Sequence, residues 1–292
     1  MNKKSFLMFS LLLSSFFVKS SDGFAESKSS EAQGQKYAEE YVEPYPGSYA
    51  ASILQMNSES LFEAIQDGDI VEVRELLQAN PRIINSLDAM NSTPLIKASA
   101  LGREEVVSFL LEQPGIVVNA KDLFGYTALM QACVGNHESV VAVLLRDDRV
   151  SSNICDAQGK SALILACRAG YADIAQLLLG FIRMEGINHN LVDPSGLTAL
   201  GHACTEENVD VVRVLIRSCV DLISAARPEQ SPINIAISRG NNEIISLLID
   251  ASERAGLGSA MQRASQVAEQ QAMLAGMMPG MMMPGIRIIR VF

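Results

Sequence analysis

Residues 91–124 read NSTPLIKASALGREEVVSFLLEQPGIVVNAKDLF. Thr93 is a helix N-cap residue, and Pro94 follows at the first helical position, where a missing N–H costs nothing. Leu95 and Ala98 then share one helical face at i and i+3. Gly102 suits the left-handed residue that stops a helix. A second apolar face follows at Val106, Val107, Leu110 and Leu111. Asp122 and Gly125, just beyond, make a tight turn before the next Thr. The stretch predicts one helix pair closed by a turn.

The same frame recurs along the chain. Thr93-Pro94-Leu95 is followed by Thr127-Ala128-Leu129, Ser161-Ala162-Leu163, Thr198-Ala199-Leu200 and Ser231-Pro232-Ile233, at steps of 34, 34, 37 and 33 residues. Upstream, Glu59-Ser60-Leu61 keeps only the Leu. Five places after the Thr/Ser stands Ala in every copy: Ala64, Ala98, Ala132, Ala166, Ala203 and Ala236. Nine places after it stands Gly68, Gly102, Gly170 or Gly240, with Asn136 and Glu207 as exceptions. An aliphatic pair ends each copy: Leu76-Leu77, Leu110-Leu111, Leu144-Leu145, Leu178-Leu179, Leu215-Ile216 and Leu248-Ile249. Before the Thr/Ser runs Asn85/Asp88/Asn91, Asn119/Asp122/Gly125, Asn153/Asp156/Gly159 and Asn190/Asp193/Gly196.

These columns resemble the ankyrin repeat, whose period and Thr-Pro-Leu signature they match. The resemblance covers about residues 57–251, as repeats near 57–90, 91–124, 125–158, 159–195, 196–228 and 229–251. It implies an all-α solenoid of about six helix-turn-helix repeats with short β-turn fingers. It also implies a non-enzymatic binding module whose partner is another protein. The fourth copy carries three extra residues around Phe181–His189, and the sixth has Ala226 and Glu229 where others turn on Asp and Gly. The first and last copies are expected to cap the stack, each with one solvated face.

The chain begins with an address. Lys3 and Lys4 precede an apolar run from Phe6 to Val18, and Gly23-Phe24-Ala25 offers small residues before Glu26. This is the pattern of a secretory signal peptide over residues 1–25. The run is shorter than the roughly 20 residues that span a bilayer. Export is therefore expected, to the periplasm of a bacterium or onward as a secreted protein. Removal of three lysines and Asp22 with that segment shifts the formal charge from −10 to −12. With a pI near 4.9 the chain lacks the basic character of a nucleic-acid binder. No later segment reads as membrane-spanning.

The flanks are read from composition. Residues 26–56 read as a disordered linker with a short helix at Ala50–Met56. Tyr37, Tyr41, Tyr45 and Tyr49 recur every fourth residue and carry a second reading, a phosphorylated tail of an effector directed to a host. Residues 252–292 read as a helical stretch and then a Met-rich tail. Met277, Met278, Met281, Met282 and Met283 are soft thioether ligands of the kind that hold Cu(I), without His or Cys beside them. The plainer reading is an adaptable tail that packs on something. Ile286 to Phe292 has the look of a strand that adds to a sheet edge.

Catalytic patterns are missing. No P-loop, dinucleotide fingerprint or Gly-x-Ser-x-Gly occurs, and His137, His189 and His202 lack metal-ligand spacing. No cofactor is expected. Cys133, Cys167 and Cys204 share one column, so neighbours should stand about 8–10 Å apart, as packed helices do. A disulfide needs Cα atoms within about 7 Å, so these three read as buried fillers. Cys155 and Cys219 lie outside the column, and a bridge between them stays open.

The resemblance implies that the partner sits on the turn tips and the exposed side of the first helices. By position that surface includes Met90, Leu123, Phe124, Tyr126, Lys160 and Leu197 on the tips, and Leu101, Arg168 and Glu206 on the helices. Leu123, Phe124 and Tyr126 stand out, because a turn needs no large apolar side chains and aromatics favour interface centres.

Overall fold

The structure is a computed structural model that describes residues 46–185, 190–218 and 230–256. The expected signal peptide, residues 26–45 of the linker, His189, Cys219, Ala226, Glu229 and everything after residue 256 lie outside the described residues. That includes the five candidate methionine ligands, Met277, Met278, Met281, Met282 and Met283, and the strand expected at Ile286–Phe292.

The helices come in pairs. They are α1 Pro46–Asp67 with α2 Ile70–Ala79, α3 Pro94–Ala100 with α4 Glu104–Leu111, and α5 Ala128–Val134 with α6 Glu138–Leu145. Then follow α7 Ala162–Ala169 with α8 Ala172–Glu185, α9 Ala199–Thr205 with α10 Val209–Arg217, and α11 Pro232–Arg239 with α12 Asn242–Arg254. The first helices pack in the row α1, α3, α5, α7, α9, α11, and the second helices form a parallel row from α2 to α12. The molecule is thus the expected all-α solenoid.

The column residues make the local structure. Thr93, Thr127, Ser161 and Thr198 each accept the N–H three residues on, from Ile96, Met130, Ile164 and Gly201. These caps satisfy helix-end donors inside the stack, where an unpaired N–H would be costly. Each first helix stops on a left-handed residue. Gly68, Gly102, Gly170 and Gly240 adopt φ between 68° and 82°, and Asn136 and Glu207 hold the same place at 57°. Asn tolerates that conformation, whereas Glu207 takes it at a cost of about 1–2 kcal/mol. The reversal lets the next N–H bond back to the column alanine: Arg103 to Ala98 O, His137 to Ala132 O and Asn208 to Ala203 O, at 2.9–3.0 Å.

Those alanines lie between adjoining first helices. Ala98, Ala132, Ala166, Ala203 and Ala236 are all fully buried. Cys133, Cys167 and Cys204 are buried and free beside them. Burial pushes the Cys204 thiol up to about 12 and raises Cys133; Cys167 rises for the same reason, with the Cys133 thiol adding to it. They remain protonated apolar fillers, as the spacing argument expected. Cys155 is half-buried and its thiol points to Asn153 O.

Polar struts tie the repeats together. After three of the left-handed stops the next residue reaches a backbone carbonyl of the preceding repeat: Arg103 Nη2 donates to Gln66 O (2.5 Å), His137 Nε2 to Ala100 O (3.1 Å) and Asn208 Nδ2 to Cys167 O (3.2 Å). The His137 ring fills the space over Gly102, where an added Cβ would lie 2.5 Å from Nδ1. Gly102 is therefore needed for space as well as for its φ. On the outer side, Asn85 donates to Gly115 O and accepts from Val117 N, and Asn119 does the same with Arg149 O and Ser151 N.

One expectation changes. The short helix expected at Ala50–Met56 is part of one continuous helix from Pro46 to Asp67. Pro46 takes the first helical position, where its missing N–H costs nothing. This also explains the missing Thr at Glu59: a helix already running needs no cap there. The fingers are the short turns expected, with one isolated bridge between Cys155 and Ser161. The last repeat has the solvated face expected of it, and Ile237 and Ile249 are exposed there.

Ala132→Leu should lower unfolding free energy by about 1–3 kcal/mol, because the row has no room for three further carbons. Ser99 occupies the Cys column, is fully buried, and its hydroxyl has no partner among the described residues. Ser99→Ala should therefore stabilise by about 1 kcal/mol. Urea melts of both variants check the two signs.

Candidate protein-binding surface

The finger tips are built on one aspartate each. Asp88 Oδ1 accepts the N–H groups of Met90 and Ser92, both at 2.8 Å. Asp122 Oδ1 holds Phe124 and Tyr126 at 2.9 Å, and Asp156 Oδ1 holds Gln158 and Lys160 at 2.8 Å. Asp193 Oδ1 holds Ser195 and Leu197 at 2.9 and 3.0 Å, and takes the Ser195 hydroxyl too. A carboxylate with two amides two residues apart fixes the loop, and the left-handed Asn91, Gly125, Gly159 or Gly196 closes it.

In two fingers the second carboxylate oxygen accepts from the first helix. Gln131 Nε2 bonds Asp122 Oδ2 at 2.8 Å, and His202 Nε2 bonds Asp193 Oδ2 at 2.9 Å. Gln131 and His202 occupy the same column of their repeats. His202 is buried with this carboxylate and serves the scaffold. Burial alone would raise Asp193, but hydrogen bonds from Ser195, the Leu197 amide and His202 outweigh it and hold the carboxyl below its ordinary range.

Adjacent fingers are joined backbone to backbone. Leu123 N donates to Met90 O at 3.0 Å, and Ala157 N to Phe124 O at 3.1 Å. The fourth finger has Pro194 where these have a donor, so it cannot continue the row. Its ring packs over Gly159 instead. The next step is made by a side chain, with Gln230 Nε2 on Ser195 O at 2.6 Å.

This geometry sorts the expected binding residues. Met90, Leu123 and Phe124 are exposed at 44 %, 61 % and 54 %, on two fingers locked to each other. Tyr126 and Leu101 are half-buried and lean on the core, so neither is a free contact. Burial raises the Tyr126 hydroxyl, as do the carboxylates of Asp156 and Asp122 against the opposing pull of Arg168. Lys160 turns its ammonium to Gln158 Oε1, and Leu197 is half-buried. Arg168 and Glu206 are exposed and 3.9 Å apart, a pair worth little in water. Leu87, absent from the expected set, is 58 % exposed at the base of the first finger. Its signal was visible: the next two repeats carry Lys121 and Cys155 at that position.

The Asp193 network gives a test. A carboxylate depressed in the fold contributes stability above its unfolded pKa of about 3.9, and that contribution fades as pH falls through the folded value. Below about pH 4 the melting temperature should fall less steeply for Asp193→Asn than for the parent chain. At neutral pH His202→Gln should retain stability, as Gln131 does for Asp122, whereas His202→Leu should lose about 1–3 kcal/mol. Thermal melts across pH check both.

The family model described as ankyrin repeats (3 copies) matches residues 46–122, 116–184 and 180–259. No curated protein matches the chain. The match spans well over half of the sequence, and its repeating unit is the helix pair whose caps, stops and fingers are traced above, so the chain belongs to the ankyrin-repeat family.

Proposed function

We propose that the chain is a non-enzymatic module, exported from the cytoplasm, that holds another protein on the tips of its first two fingers. Ankyrin repeats are generally protein–protein interaction modules. The observation that carries the site is the cluster of Met90, Leu123 and Phe124, exposed side by side on fingers joined by the Leu123–Met90 backbone bond. Large apolar side chains gain about 1.5–3 kcal/mol each on full burial. A loop already pinned by its own aspartate loses little freedom on binding, so more of that gain remains as affinity. Arg168, Glu206 and Lys160 supply a polar margin on the following repeats. The export half of the proposal rests on the residues of the N-terminal segment alone.

Ligands selected from a peptide display library against the whole chain should lose at least tenfold in affinity on Phe124→Ala or Leu123→Ala. Val71→Ala, at an exposed site on α2, should leave binding unchanged. Equal affinities for all three variants would move the site elsewhere. For export, expression in a secreting bacterial host should yield a product beginning at Glu26, read by intact mass. A product retaining residues 1–25 would remove that half.

A further inference from the structure

The repeats provide internal controls for one another. Six places after the Thr/Ser column lies the residue that faces the following repeat. Ile65, Ser99, Cys133, Cys167 and Cys204 hold that place and are all 0 % exposed. In the last repeat it is Ile237, at 37 %. Eighteen places after the column, Leu77, Leu111, Leu145 and Leu179 are 5–8 % exposed and Ile216 is half-buried, whereas Ile249 is 44 % exposed. The columns one residue earlier do not open, since Ala236 and Leu248 are 0 % exposed like their counterparts. The exposure is therefore the loss of a following neighbour and not a loosening of the last helix pair. A terminal repeat ought to be polar on this flank. Here the position holds Ile, the residue that is fully buried as Ile65 in the first repeat.

We infer that this flank is a docking surface whose occupant is the chain's own residues 257–275. Three observations select that segment. α12 ends at Arg254, and Gly256 takes φ 68°, with its N–H bonded to Glu253 O at 3.1 Å. That is a left-handed stop of the kind that ends each first helix, so α12 closes at the edge of this flank. Next, Met261, Ala264, Ala268 and Ala272 follow at spacings of three, four and four, a pattern that as a helix would put one methionine and three alanines on one face, with Arg263 and Glu269 as the segment's charges. Small residues are what each first helix offers its neighbour in the alanine column. Finally, these 19 residues are tethered at the edge of the flank they would cover. A tethered segment acts at roughly millimolar effective concentration, ahead of a free second copy.

The test uses the full chain and hydrogen exchange read helix by helix. Ala268→Asp places a charge on the apolar face, and Gln270→Asp places one on the opposite face. Exchange in α11 and α12 should quicken at least tenfold with Ala268→Asp and stay unchanged with Gln270→Asp. Unchanged rates in α3 to α6 would confirm that the stack itself remains folded. Equal rates for the two variants would overturn the inference. So would a parent chain that sediments as a dimer and becomes a monomer with Ile249→Asp but not with Ala268→Asp, because a second copy would then be the occupant.

Discussion

No repeat in this chain can bury its own flank, and everything else in the molecule follows from that dependence. The helices are short: α3, α5 and α9 have seven residues each, well below the length at which a helix holds in water. They persist because Ala98, Ala132, Ala166 and Ala203 let the next first helix approach closely, and because the leucine pairs behind them close the gap between second helices. The column residues are small where helices touch and branched where they leave room. That division produces a stack instead of a single central core, and accounts for a chain without tryptophan.

Close stacking creates a polar problem at every helix end, and the solution is also periodic. Capping hydroxyls take the first amides, and left-handed stops return the next amide to the alanine carbonyl. Arg103, His137 and Asn208 satisfy carbonyls of the repeat before them with three different side chains in one column. What is constant there is donor capacity and reach, not residue identity. The same holds for Gln131 and His202, which differ in type yet make one bond to the finger aspartate.

Recognition is built on the parts of each repeat that stacking does not use. The finger aspartates hold the loop backbone from within, so the side chains between them are free to vary. In the second finger that freedom is filled by Leu123 and Phe124. The backbone bonds among the first three fingers make those tips a rigid row, and Pro194 ends it. The apolar part of the surface thus sits on one side of the break and the Arg168–Glu206 pair beside it.

Repeat identity, cap residues, the burial of the alanine and cysteine columns and the Asn136 stop were legible in the sequence, because each depends on contacts repeated at fixed spacing. Periodicity shows a residue's role whenever its neighbours are copies of itself. It could not show where that rule fails. Leu101 shares its column with the exposed Asp67, Ala169, Glu206 and Arg239, and Tyr126 follows two exposed finger residues, yet both pack on the core. His202 turned inward because a carboxylate nine residues earlier reaches it only once the finger has folded over the helix. The run from Pro46 into the first repeat and the open flank at Ile237 and Ile249 belong to the ends of the stack. At an end the pattern loses one neighbour, and only the three-dimensional arrangement decides what a side chain meets there.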